Sequence, residues 1–220
     1  MTDAVRRRAG RPSEPVLSRE LITRTALRLL SEHGEESWGM RHIARELGVR
    51  PSALYNHVAN QEDLLGAVRE LVSDRIDVSG FGVLAWDAAL DLWACSYREV
   101  FAAHPRTITL LALQPLRGAE RTVRSYDAVC AGLESAGWPV GRVLSVVVAL
   151  ENLCLGAAFD RAAPADMMDP GAAGESPLGR AYRARSTALG GASPADAAFE
   201  LGLNAMLEGL RAEFAALTAS

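Results

Sequence analysis

Apolar residues recur at three- and four-residue steps along almost the whole chain, and no stretch of alternating apolar and polar residues lies between hairpin turns. That period predicts helices and leaves no strands to build a sheet, so the expected fold class is all-α. With 220 residues, 49% hydrophobic and 23% charged, the chain is long enough for one large or two small domains with a buried core. The longest apolar stretch, Leu144 to Leu155, is broken by Ser145, Glu151 and Asn152, short of the ~18 residues of a membrane span. Met1 to Arg8 is polar and basic, with no apolar segment behind it. Cys95, Cys130 and Cys154 form no CxxC pair, as expected of reduced thiols in a cytoplasmic protein rather than a disulfide framework or zinc site.

Residues 1–16 read as a flexible basic arm. A helix follows from Ser18, as N-cap, to His33, with Gly34 as its left-handed stop. Short helices are expected over Met40 to Leu47, ending at Gly48, and over Pro51 to His57. Asn60 caps a helix expected to run unbroken towards Ile76 and Asp77. Beyond a Gly-containing break come helices near 84–103, 105–114, 119–136, 139–160, 178–189 and 194–217, with 161–177 as a loop. The expected organisation is an arm (1–16), a three-helix helix-turn-helix domain (17–62) and a helical-bundle domain for effector binding and dimerisation (63–220).

Net charge is −4, unevenly spread: residues 1–60 hold ten Arg against seven acidic residues, the remainder 13 against 20. Only the head suits a phosphate backbone. Within it, two short helices joined by Leu47-Gly48-Val49-Arg50 have the form of a helix-turn-helix. Ile43, Ala44, Leu47, Val49, Leu54 and Val58 supply its apolar side. Ser52, Ala53, Tyr55, Asn56 and His57 remain as a surface able to bond phosphates and base edges, on a helix of a size for the major groove.

The segment LGVRPSALYNHVANQEDLL, preceded by a helix ending in EHG and a basic GRP arm, resembles the tetracycline-repressor (TetR) family of transcriptional regulators. The similarity covers residues 10–76 strongly, and fainter likeness to the tetracycline repressors extends over 77–160 in ACSYRE, SYDAV and LGAAF. The resemblance implies a homodimeric, all-helical repressor of double-stranded DNA operators, released by a small-molecule effector. By position it makes Arg41 and Arg50 base or phosphate contacts, Ser52, Tyr55 and His57 backbone contacts, and turns Ala53 and Asn56 to the bases. Gln61 replaces the usual Lys, removing one charged phosphate contact. Arg6, Arg7, Arg8 and Arg11 reach an adjacent minor groove or remain a solvated tail.

In the body, Trp86, Leu90, Trp93, Tyr97, Phe101 and His104 form an aromatic stripe that serves either core or ligand. Leu144, Val147, Val148, Glu151 and Leu155 share one helix face, where Glu151 pairs with an Arg, lines a hydrated cavity or meets a ligand. Val146, Leu150, Leu153 and Ala157 opposite call for a second cover. The last helix carries a large stripe (Phe199, Leu203, Met206, Leu210, Phe214, Leu217) and a small one (Ala198, Gly202, Ala205, Gly209, Ala212), suited to a four-helix interface between two copies. The resemblance makes Asp77, Trp93, Tyr97, Val129, Leu133, Val147 and Glu151 effector contacts. Asp77 and Trp93 replace the histidine and asparagine that grip the drug in the tetracycline-repressor subgroup, and that subgroup's magnesium-binding histidine has no counterpart around Leu110 to Leu113. A bulky apolar or aromatic effector follows, favoured by Glu151 and Asp77 to carry donors or positive charge.

Catalysis finds no support: His33, His42, His57 and His104 are scattered, and neither GxGxxG nor GxxxxGK[ST] occurs. No cofactor or metal is expected. A DNA-binding dimer with no ligand is the alternative, favoured if the body is filled by its own side chains.

Overall fold

A computed structural model describes residues 17–219; the arm lies outside them, as does the expectation for its arginines. The described residues form ten α-helices and no strands. Three make the head: α1 (Arg19–His33), α2 (Met40–Glu46) and α3 (Pro51–Leu54). The head is followed by α4 (Gln61–Ser73), α5 (Trp86–Ala102), α6 (Ile108–Ala112), α7 (Glu120–Ala136), α8 (Val140–Ala162), α9 (Pro177–Leu189) and α10 (Pro194–Thr218). The start signals act as expected: Ser18 Oγ accepts the Leu21 N–H at 3.1 Å and Asn60 Oδ1 accepts that of Asp63 at 2.8 Å. Gly34 and Gly48, at φ 78° and 66°, provide the turns that end α1 and join α2 to α3.

Several elements depart from the sequence reading. The α3 helix proper stops at Leu54; Asn56, His57 and Val58 continue it as tight turns on the carbonyls of Ala53 and Leu54, which rotate Val58 into the core. The fourth helix is not continuous to Asp77. It ends at Ser73, and the Ile76 N–H closes a turn on the Ser73 carbonyl at 3.0 Å, as expected where Ser and Asp compete for backbone bonds. Pro105 and the Thr107 hydroxyl, which donates to the His104 carbonyl at 2.7 Å, open a 3-10 turn, so the 105–114 helix shrinks to α6. Gly171–Ala173 form a 3-10 turn within the expected loop.

The core runs unbroken from head to body. Ile22, Leu30, Ile43, Leu54 and Val58 join Leu64 and Val68 of α4, then Leu90, Trp93, Val129, Leu133, Val147 and Leu150. In the body α8 packs between α5 and α10. By length and composition α8 is apolar enough to cross a membrane, which the count of unbroken apolar residues missed. Here one side of it is core, with Val143, Val147, Leu150, Cys154 and Ala158 buried. Trp86, Trp138 and Phe214 knit α5, the α7–α8 turn and α10, with ring centroids 5.2–5.3 Å apart.

Candidate nucleic-acid interface and effector region

Leu54 and Val58, both essentially inaccessible, fix α3 to the head and decide which side chains face outward. Ser52, Tyr55 and Asn56 are exposed, Tyr55 at 53%, while Ala53 and His57 are half-buried on the flank. Arg50 is the exposed N-cap of α3, Arg41 is exposed in the first turn of α2, and Gln61 opens α4 in solvent. Seven of the eight expected DNA-contacting residues therefore lie on or beside α3 and its junctions, and Arg41 lies apart from them at the start of α2. Arg45, one helical turn after Arg41 on α2, is exposed as well.

A further support was not legible at all. Arg19 donates to both carboxylate oxygens of Asp63, at 2.8 and 2.6 Å, and to the His57 carbonyl at 3.2 Å. Asp63 also accepts the Ala59 N–H at 2.8 Å. This bidentate pair ties α1, the end of α3 and the start of α4 into one rigid unit. Arg19 holds the Asp63 carboxyl below the ordinary carboxylate range. The partners stand 44 residues apart, so no local pattern announces them.

Head and body meet along a second polar seam. Ser31 bonds His104 Nδ1 at 3.0 Å, Arg106 reaches the Glu32 carbonyl, and the Thr109 hydroxyl donates to Glu35 at 3.0 Å. Burial, with Arg75 nearby, holds the His104 imidazole below its ordinary pKa.

The expected effector residues divide. Trp93, Tyr97, Val129, Leu133 and Val147 come together, all at 5% exposure or less, and fill the space between α5, α7 and α8 themselves. Trp93 and Tyr97 rings lie 5.1 Å apart, and Phe101 stacks on Tyr97 at 4.9 Å. Glu151 is half-buried and accepts the Tyr126 hydroxyl; Tyr97 is close enough to feel both groups, and burial pushes its phenol and that of Tyr126 upward. Asp77 is engaged in its own loop: its carboxylate accepts the Ser79 N–H at 2.8 Å, the Ser79 hydroxyl and then that N–H hold it below the usual range, and its own N–H donates to Ser96 at 2.9 Å. Sequence reasoning missed Tyr126 and Arg69. The latter is buried on α4 and donates to the carbonyls of Leu111 and, at 2.7 Å, Gln114.

The apolar surface left uncovered is not the one expected. Val146 and Leu150 are buried within the chain, whereas Val140, Leu144, Val148 and Phe159 stand out along α8 and Leu201 along α10. Of the small residues on α10, Gly202 is used internally: a Cβ there would meet the Leu153 side chain at 3.1 Å. Ala198, Ala205, Gly209 and Ala212 remain exposed.

With this geometry in view, the chain matches known proteins along most of its length. Residues 22–68 match the model of bacterial regulatory proteins of the tetR family, and residues 83–214 that of the tetracyclin repressor-like C-terminal domain. It is 30% identical to the class C tetracycline repressor protein of Escherichia coli over 88% of this chain and 90% of that one. An HTH-type transcriptional regulator of Saccharopolyspora erythraea is 27% identical, over 91% and 87% of the respective chains. In fold it is similar to the TetR family protein ActR of Streptomyces coelicolor in complex with actinorhodin, at TM-score 0.71 and 24% identity over 90% and 97% of the chains.

Proposed function

The chain belongs to the tetracycline-repressor family of helix-turn-helix transcriptional regulators, and from that premise we propose that it is a dimeric, ligand-released repressor of a pseudo-palindromic operator. The observation that carries this reading is the outward set on α3: Ser52, Tyr55 and Asn56 exposed over two fully buried anchors. In the proposed complex Ala53 and Asn56 face bases, and Ser52, Tyr55 and His57 bond the backbone. Arg41 and Arg50 supply charge to phosphates or bases, and Gln61 gives a neutral amide where a cation would release a further counterion.

The second copy is proposed to cover Val140, Leu144 and Val148 of α8 together with the small residues of α10, in a two-fold four-helix interface. Two recognition helices then fall about one DNA turn, ~34–36 Å, apart. Selection of binding sites from random or genomic DNA, followed by a salt titration, tests the reading. An inverted repeat bound with a steep salt dependence is expected, and no salt-sensitive binding to any DNA overturns it.

The effector is proposed to be bulky and aromatic, received between α5, α7 and α8 at Trp93, Tyr97, Val129, Leu133, Val147 and Glu151, with Asp77 at the margin. The fold it shares with an actinorhodin complex supports this. A ligand acts only through its different affinities for the DNA-competent and DNA-incompetent dimers. One observation favours a second reading, a regulator without a ligand: those five apolar and aromatic residues already fill their own space. A thermal-shift screen of polycyclic aromatic compounds separates the two. Saturable stabilisation with loss of operator binding supports the first, and its absence across the series supports the second.

A further inference from the structure

A buried cation without a counter-ion sits where α4 meets the body. Arg69 is 9% exposed, and among the described residues no carboxylate lies within ion-pair distance of it. Among the described residues its guanidinium donates to two neutral acceptors, the Leu111 carbonyl and, at 2.7 Å, the Gln114 carbonyl. Taking a full charge out of water costs more than two neutral acceptors return. Burial accordingly pulls the guanidinium below its ordinary range, offset in part by Tyr126, Tyr97 and Glu151. The Glu151 carboxylate is engaged by the Tyr126 hydroxyl.

On its other flank Arg69 lines a cleft of about 170 Å³ between α4 and the segment after α6, with Leu65, Gly66, Gln114, Glu62 and Arg117. The cleft lies apart from the α5–α7–α8 core. With Arg69 and Arg117 set against Glu62, the lining carries a net positive charge. Gly66 keeps one wall open: nothing stands within 4 Å of where a Cβ there would be. A single-ring molecule matches the volume, Leu65 gives it an apolar contact, and the planar guanidinium suits a carboxylate.

We propose that this cleft is a binding site for a small carboxylic acid whose carboxylate pairs with Arg69. The acid takes donors now held by Leu111 and Gln114 and so loosens the end of α6 from α4, the helix that carries the head through Asp63 and Arg19. This consequence for DNA rests on the regulator reading; the site itself does not.

Fluorine NMR titration of the full chain with 4-fluorobenzoate, 4-fluorobenzamide and 4-fluorobenzylammonium tests the site. Saturable broadening of the benzoate signal is expected, with affinity about tenfold or more above the amide, the weight of one charge-assisted hydrogen bond. Arg69→Gln should bring acid and amide to within about threefold, and Arg69→Lys should keep part of the preference. Gly66→Leu, which improves helix propensity and fills the open wall, should abolish binding of the acid with the fold intact. An amide or ammonium that binds as well as the acid, no binding of the acid up to its solubility limit, or a preference that survives either Arg69→Gln or Gly66→Leu overturns the proposal. Operator binding is measured alongside. Acid binding by a protein that ignores all DNA leaves the site standing and removes the regulator.

Discussion

Arg50 and Asn56 flank α3, one as its N-cap and the other in the turn that follows it, yet their substitutions should fail in different ways. The Asn56 amide can give and take a hydrogen bond at a base edge, so Asn56→Ala is expected to cost about 1–3 kcal/mol on the selected operator and to relax preference at one base pair. Arg50, exposed at the N-cap, is proposed to bring charge to phosphates or bases, and a phosphate contact would make its loss indifferent to sequence. Arg50→Ala should weaken specific and non-specific DNA alike and flatten the salt slope by about one unit. Anisotropy titrations on cognate and scrambled duplexes at several salt concentrations distinguish the two. His104 adds a pH response. Its folded pKa lies below the ordinary 6.5 because of burial and Arg75, so on acidification the unfolded chain takes up a proton before the native one does. Stability is therefore expected to fall below about pH 6.5, by at most ~1.4 kcal/mol per pH unit, and His104→Gln should remove that portion. Carboxylates such as Asp63, whose pKa is depressed beneath 3.8, withdraw their contribution only at far lower pH. Denaturant midpoints between pH 7 and 5 therefore isolate the imidazole.

Local chemistry decides most of the elements. Ser18 and Asn60 cap α1 and α4 because their short acceptors satisfy free N–H groups, and Gly34 and Gly48 adopt a positive φ that other residues resist. These signals sit within four residues of what they control, which made the helix starts legible. Lengths were less so. The Val-Ser-Asp stretch after Leu71 can propagate or stop a helix on local grounds, and it stops. The α3 helix is too short to persist through its own hydrogen bonds, so its stability is lent by Leu54. Leu54→Ala is expected to cost about 2–5 kcal/mol. It should also detach the α3 surface, abolishing operator binding at temperatures where the bundle of α5, α8 and α10 still melts cooperatively. Circular dichroism melts read beside DNA titrations check this.

At the scale of the whole molecule, Val140, Leu144 and Val148 leave an apolar stripe uncovered along α8. Leu144 is 64% exposed, so Leu144→Asp strains no internal contact and should leave the helical content unchanged. In the proposed dimer the same carboxylate would be buried at the interface without a counter-ion. The variant is expected to elute as a monomer in light scattering and to lose tight binding to a full operator while keeping weak binding to a half-site. A stable Leu144→Asp dimer would place the interface elsewhere.

The order of residues by itself determined the helical class, the caps, the helix-turn-helix between Met40 and Val58 and the residues it presents, because each depends on periods and contacts spanning a turn or two. Only the folded chain decided which apolar faces are spent internally, as with Val146 and Leu150, and which stay free, as with Leu144 and Val148. The same holds for Arg19 with Asp63, Tyr126 with Glu151, and the lone charge of Arg69. Helical periodicity says that a side chain is turned inward, but which group it meets depends on how separate helices pack. That packing is a sum over distant contacts to which no short window of residues has access.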